Sequence, residues 1–258
     1  MKRTELIMGM PVTVVIPDRE RSEGAGEGAG FRTCDNAAGA LFDYFREVDR
    51  RFSPFNPESE TSRISRGELA PEEASPEMRE VLRLSEETKG QTDGYFDVWF
   101  EGRFDPSGLV KGWAINNAAR ILDADGFISF CVEAGGDIEV RGANDQGKPW
   151  VIGIRSPFDT SRIVRALHIQ NRGIATSGTY IRGEHIYNPR TGGRAGQIAS
   201  FTVIGPNVYE ADRFATAAFA MGREGIEFMA CLPEFDAYMV EHDGTATFTP
   251  GFARYIPS

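Results

Sequence analysis

The sequence predicts an α+β fold in which antiparallel or mixed sheets carry helices packed around them, and three observations point that way. Helical periodicity is confined to the first half of the chain and to the stretch around Asp212, whereas strand-like runs arrive in meanders. Asp243-Gly244 stands between the strand-like runs 237–241 and 246–249, and such an αL-tolerant pair predicts a hairpin with a type I′ turn. Neither GxGxxG nor GxxxxGK[ST] is present to argue for a doubly wound parallel sheet.

Residues 11–17 read as the first strand, and the glycine-rich run over 23–30 reads as a flexible loop without chemistry. Leu41, Phe42, Phe45, Val48 and Phe52 recur at helical spacing behind a cap at Asp35, which predicts a core-packing amphipathic helix ending before Pro54. Residues 55–75 are polar and proline-containing, and no element is expected there. A second helix is expected over 76–89, with Met78, Val81, Leu82 and Leu84 inward and Gly90 as its stop, followed by a turn over 92–97. A third helix is expected over 108–122, stopping near Gly126. The runs 127–131 and 137–141 read as a strand pair interrupted by Gly135-Gly136. Residues 150–155, 163–170, 174–176 and 201–204 are further strands, and the alanine-rich run 210–222 is a helix.

With 258 residues and 41 % hydrophobic content, the chain can bury a sizeable core, expected as one domain over 1–258 or two intimately packed lobes. A net charge of −10 without a basic stripe excludes a nucleic-acid footprint, so an anionic substrate must be met by local cations or a metal. Cys34, Cys131 and Cys231 lie far apart with no CxxC spacing, which points to a reducing compartment and not to zinc or a disulfide framework. Residues 1–10 hold too few apolar side chains for a signal peptide or membrane span, so a cytoplasmic protein without membrane contact is expected.

Asp212 and Thr216 stand four positions apart, so a helix carries both oxygen donors on one face near its start, which suits a hard cation. Upstream, Thr176-Ser-Gly-Thr-Tyr180 and His185-Ile-Tyr-Asn-Pro-Arg-Thr-Gly-Gly193 are dense in hydroxyls, amides and glycines that suit a phosphate or its metal. Asp105-Pro-Ser-Gly-Leu-Val-Lys-Gly-Trp-Ala114 places an acid and a lysine at a loop-to-helix junction, where N–H groups and the Lys111 charge can face an anion. Taken alone, that pair is more readily a solvated turn.

In order along the chain, Met8-Gly-Met10, Phe52-Ser-Pro-Phe-Asn-Pro-Glu-Ser-Glu-Thr-Ser-Arg63, Asp93-Gly-Tyr-Phe-Asp97, residues 105–114, Gly135-Gly-Asp137, Thr176 to Tyr180, residues 185–192 and Ala211-Asp-Arg-Phe-Ala-Thr216 resemble the blocks of the ApbE family of FAD:protein FMN transferases. The ordered set covers nearly the whole chain. It implies an ApbE-like, T-fold-like architecture and attachment of FMN, taken from FAD, to a threonine of an acceptor flavoprotein with release of AMP. It also implies that Asp212, Thr216 and the main-chain oxygen of Gly108 hold Mg2+, and that Met8, Phe55, Tyr95, Phe96, Asp97, Asp105, Lys111 and Ile186 line the FAD site. Attack at phosphorus needs neutralised charge and an aligned nucleophile. Lys111 would add a fixed positive charge, and His185, the histidine beside the phosphate loop, would accept a proton or orient the acceptor hydroxyl, unless it merely packs that loop. Phe55, Tyr95 and Phe96 can flank a flavin or adenine ring, although such side chains more often serve the core. Asp137 is read as tuning a tight turn, His168 as a strand residue and His242 as a turn residue.

Three positions depart from the family pattern. Asn188 replaces the common aspartate and removes a charge beside the expected phosphates, Ser107 replaces a glycine, and Phe55 replaces a tyrosine. Two other readings therefore stand beside the transferase: a Mg2+-dependent FAD pyrophosphatase giving FMN and AMP, and a non-catalytic FAD carrier. A cytosolic acceptor such as a flavin-dependent reductase is expected.

Overall fold

The computed structural model describes residues 1–17, 32–178 and 187–257. The loop expected over 23–30 lies outside them.

The chain opens with an antiparallel hairpin, β1 (Lys2–Ile7) and β2 (Met10–Val15). Its turn is Met8-Gly9 with φ of 56° and 69°, the two positive values that a type I′ turn requires. β1 was not expected, because its burial alternates only weakly along a mostly exposed edge. Helix α1 (Cys34–Phe52) follows with the anticipated apolar face buried, but its cap is Thr33, whose side chain accepts from the Asn36 N–H, and not Asp35. A cap of this kind is worth about 1 kcal/mol. Helix α2 (Glu60–Ser65) and a 3-10 turn at Pro71–Glu73 occupy the stretch where no element was expected. Among the residues α2 buries are two hydroxyl side chains, Thr61 and Ser62, so hydrophobic periodicity does not reveal it.

Helix α3 (Pro76–Gln91) runs through Gly90 instead of stopping there. Leu82 and Leu84 are only partly buried, because Ser85 and Thr88 take the inward stripe by donating to the Val81 and Leu84 carbonyls. The short strands β3 (Trp99–Phe100) and β4 (Arg103–Phe104) lead into α4 (Ser107–Ala124). Next comes β5 (Phe130–Ala134), three residues later than expected, because the Phe127 N–H is spent on Leu122 O in closing α4. Then follow β6 (Asp137–Arg141), β7 (Trp150–Arg155), β8 (Ile163–Ile169), β9 (Arg172–Gly178), the short pair β10 (Tyr187–Asn188) and β11 (Gly193–Arg194), and β12 (Ser200–Gly205). Helices α5 (Val208–Met221) and α6 (Glu224–Ala230), of which α6 was not anticipated, precede β13 (Asp236–Val240), β14 (Ala246–Phe248) and a 3-10 turn at Pro250–Tyr255. The β13–β14 hairpin exists, but its turn is not type I′: only Gly244 has positive φ, and its N–H donates to Glu241 O.

Eight strands form one antiparallel sheet in the order β1-β2-β5-β6-β9-β12-β13-β14, so the α+β expectation holds. On one face the helices bury Phe42, Phe45, Ile115, Phe201 and Phe219, each worth roughly 1.5–3 kcal/mol. On the other, the β7–β8 hairpin lays Ile152, Ile154, Leu167 and Ile169 against Val140, Ile174 and Tyr238. Period-2 alternation then dictates that Asp137 and Glu139 of β6 point to the helices while Ile138 and Val140 point to the hairpin.

Candidate functional site

The site forms where α4 and α5 cross the middle of the sheet. Asn207 caps α5 by accepting from the Glu210 N–H at 3.0 Å, and the alanine-rich sequence lets the helix lie close to β9, β12 and α4. Its approach to α4 needs Gly112: a Cβ there would sit 2.6 Å from the Asp212 Cβ. That proximity lets the Gly112 N–H donate to Asp212 Oδ2 at 2.8 Å. One turn along each helix, Thr216 Oγ1 lies 3.4 Å from the Gly108 carbonyl oxygen and 3.5 Å from Ser177 Oγ on β9. Lys111 Nζ stands 2.5 Å from Asp137 Oδ2 and 3.7 Å from Asp212 Oδ1, while Asp137 Oδ1 accepts from the Thr176 N–H at 3.1 Å.

Gly108, Lys111, Thr176, Ser177, Asp212 and Thr216 line the floor of one cleft. Burial pushes the Asp212 carboxyl up to about 8; the Lys111 ammonium pulls it back and the neighbouring Asp137 adds to the rise. A carboxylate held this way is short of positive charge. Asp212, Thr216, Gly108 O and Ser177 present only hard oxygen donors, the set Mg2+ prefers. Oxygens on an octahedral Mg2+ stand roughly 2.9 Å apart, so the 3.4 Å between Thr216 Oγ1 and Gly108 O is near that spacing. Among the described residues no group of three or more His, Cys, Asp and Glu side chains is gathered for a metal.

The structure brings together Gly108, Lys111, Asp212 and Thr216, and Tyr95, Phe96, Asp97 and Asp105 line the same cleft. Their commitments differ. Phe96 is 3 % exposed and belongs mostly to the core. Tyr95 lies under the Arg190 guanidinium at 4.9 Å, and Asp97 pairs with Lys89 at 2.7 Å while its carbonyl accepts from Tyr187 Oη. Asp105 Oδ1 accepts from the Ser107 N–H at the rim. Met8 and Phe55 line an adjoining groove that shares Asp105, Ser107, Lys111 and Gly135 with the cleft and runs out to β7. His185 and Ile186 lie outside the described residues. His168 is exposed on β8, and His242 Nε2 pairs with Gly196 O at 2.9 Å.

Asn188 does not face the cleft floor. Its Nδ2 donates to Ala220 O at the C-terminal end of α5, and its Oδ1 accepts from the Arg190 N–H. Asp137, read as tuning a tight turn, instead anchors Lys111, and Gly112 was not anticipated, whereas Ser177 and Tyr187 lie in the two hydroxyl- and amide-rich runs expected to meet a phosphate or its metal. The four-residue spacing of Gly108 and Gly112 was a usable signal for a close helix crossing. The Gly135-Gly-Asp137 block marks Asp137 but not its role, because its partners lie on α4 and β9.

A model described as the ApbE family matches residues 8–103 and 100–239. The FAD:protein FMN transferase of Klebsiella pneumoniae (strain 342) is 32 % identical over 165 residues, 59 % of this chain and 47 % of that protein. The protein of the same name from Escherichia coli (strain K12) is 30 % identical over 167 residues, 60 % and 48 % respectively. The chain thus spans about half the length of these relatives. The flavin transferase ApbE from Vibrio cholerae superposes with a TM-score of 0.81 at 22 % identity over 99 % of both chains. The apbe protein from Thermotoga maritima superposes with 0.83 at 20 % identity, over 100 % of this chain and 99 % of that one. At such identities the superpositions show a shared fold.

Proposed function

The chain belongs to the ApbE family, and on that premise we propose that it is a Mg2+-dependent FAD:protein FMN transferase. The observation that carries the proposal is the meeting of Asp212, Thr216 and the Gly108 carbonyl at the floor of one cleft, beside a lysine anchored by Asp137. The threonine hydroxyl oxygen of an acceptor protein attacks the FMN phosphorus of FAD, a P–O bond to the AMP moiety breaks, and AMP leaves. Magnesium, when bound by Asp212, Thr216 and Gly108 O, would neutralise pyrophosphate charge. Lys111 adds a fixed cation whose direction is set by Asp137. Tyr95 and Asp97 border the dinucleotide and Met8 and Phe55 its outer part, and the role we propose for His185, from the sequence alone, is to take the hydroxyl proton. Because α4, β6, β9 and α5 all contribute to the site, we read residues 1–258 as one domain. Among the described residues no helix is long and apolar enough to cross a membrane. The three cysteines are free thiols, and the acceptor we propose is a cytosolic flavoprotein such as a flavin-dependent reductase.

The test is AMP release from FAD and Mg2+ with and without a threonine-bearing acceptor, with mass spectrometry of the acceptor. Acceptor-dependent AMP and a threonyl-FMN adduct are expected. Free FMN without acceptor would make the protein a pyrophosphatase, and bound FAD without AMP would make it a carrier. Asp212→Ala is expected to abolish Mg2+-dependent AMP release by removing the only carboxylate among the proposed ligands; undiminished turnover would remove the metal assignment.

A further inference from the structure

Glu139 is fully buried on the helix-facing side of β6, outside the cleft, and the chemistry above makes no use of it. Its Oε2 accepts from the Val208 N–H, the first residue of α5, at 2.5 Å, and its Oε1 is ion-paired with Arg141. Directly across the sheet register stands Gly173, where a Cβ would run into the Val208 backbone nitrogen. The first N–H of α5 is thus seated between a carboxylate and a bare glycine. A carboxylate is the favoured partner of a helix N-terminus. Val208, Asp212 and Thr216 follow one another at i, i+4 and i+8, so whatever fixes Val208 along the helix axis fixes the other two. Two residues before Glu139 on the same strand face, Asp137 holds Lys111 of α4. One strand therefore engages both helices through acids spaced roughly 7 Å apart.

We propose that Glu139 is a positioning residue that sets the height of α5 over the sheet, and with it the distance of Asp212 and Thr216 from Gly108. The inference rests on the metal site proposed above. Its test is Mg2+ binding by calorimetry to the full chain, for the parent protein and for Glu139→Ala, Glu139→Gln and Asp212→Ala, alongside thermal unfolding and Mg2+ titration of AMP release. Misplacing a ligand's support commonly costs 10–100-fold in metal affinity, so Glu139→Ala is expected to weaken Mg2+ binding about tenfold or more. The activity loss should be recovered as Mg2+ is raised, with the KM for FAD unmoved, and Glu139→Gln, which keeps an acceptor for Val208, should fall between. If the alanine variant fails to fold, the glutamine variant carries the same comparison. A lowered Tm with unchanged Mg2+ affinity would reduce Glu139 to a helix cap and overturn the inference. In that case a loss of Mg2+ binding in Asp212→Ala leaves the metal site standing. A parent protein that binds no Mg2+ would overturn both.

Discussion

The two ends of the proposed dinucleotide site are built in opposite ways. Around Asp212 the backbones of α4 and α5 are so close that one methyl group at Gly112 would meet the Asp212 Cβ at 2.6 Å. In the adjoining groove Phe55 is 94 % exposed, and Val151 and Ile163 on the β7–β8 hairpin are 61 % and 55 % exposed. Where phosphorus chemistry is proposed, the ligand geometry is locked by main-chain contact, and where rings and an acceptor are proposed to lie, the surface is free to adapt. Phosphoryl transfer is sensitive to misplacement of an ångström, whereas stacking on a flat ring tolerates it.

Gly112→Ala is the substitution that breaks this comparison most directly. In an exposed helix it would gain about 1 kcal/mol. Here overpacking against Asp212 and the Val208 carbonyl costs about 1–3 kcal/mol, so the sign reverses or cancels, and the helices part. Chemical denaturation is expected to show a net loss of about 0–2 kcal/mol, and Mg2+-dependent AMP release is expected to fall as the helices part. A variant more stable than its parent, with unchanged Mg2+ dependence, would mean that the inner end has slack.

Asn188→Asp sharpens the comparison at the far end of α5. The aspartate usual in the family cannot donate to Ala220 O and sets a negative charge at the negative end of the helix dipole. A loss of about 1 kcal/mol in stability is expected from these two effects together, with little change in Mg2+ affinity, because the side chain points away from Asp212. A marked change in Mg2+ affinity at constant stability would show instead that position 188 acts on the metal.

The contrast also explains what was legible in the sequence. Helix α5 and its Asp212–Thr216 pair were readable because a 3.6-residue period puts both on one face whatever lies opposite. The roles of Asp137 and Glu139 were not, since their partners Lys111 and Val208 come from helices 26 and 69 residues away and meet them only through the register of β6. Hairpin chemistry misled in both directions. Asp243-Gly244 carries the favoured dipeptide without the type I′ turn, and Met8-Gly9 makes that turn without the favoured dipeptide. Phe96 shows the same limit: its sequence block suggested a ring beside the ligand, and packing gave most of that ring to the core.

The mildest change belongs to the open end. Phe55 follows Pro54 in the turn between α1 and α2, lines the groove and touches little, so Phe55→Ala is expected to move unfolding stability by less than about 0.5 kcal/mol. If its ring stacks on FAD, removing it costs roughly 0.5–1.5 kcal/mol of binding, about a two- to tenfold rise in the KM for FAD with kcat unchanged. Phe55→Tyr, which restores the ring type common in the family, should keep or lower the KM. A drop in Tm on truncation would show that Phe55 is packed in solution and that the groove is narrower than its exposure implies. An unchanged KM would place the flavin and adenine rings elsewhere, leaving Tyr95 and its Arg190 partner, 4.9 Å above the ring, as the aromatic contact to test next.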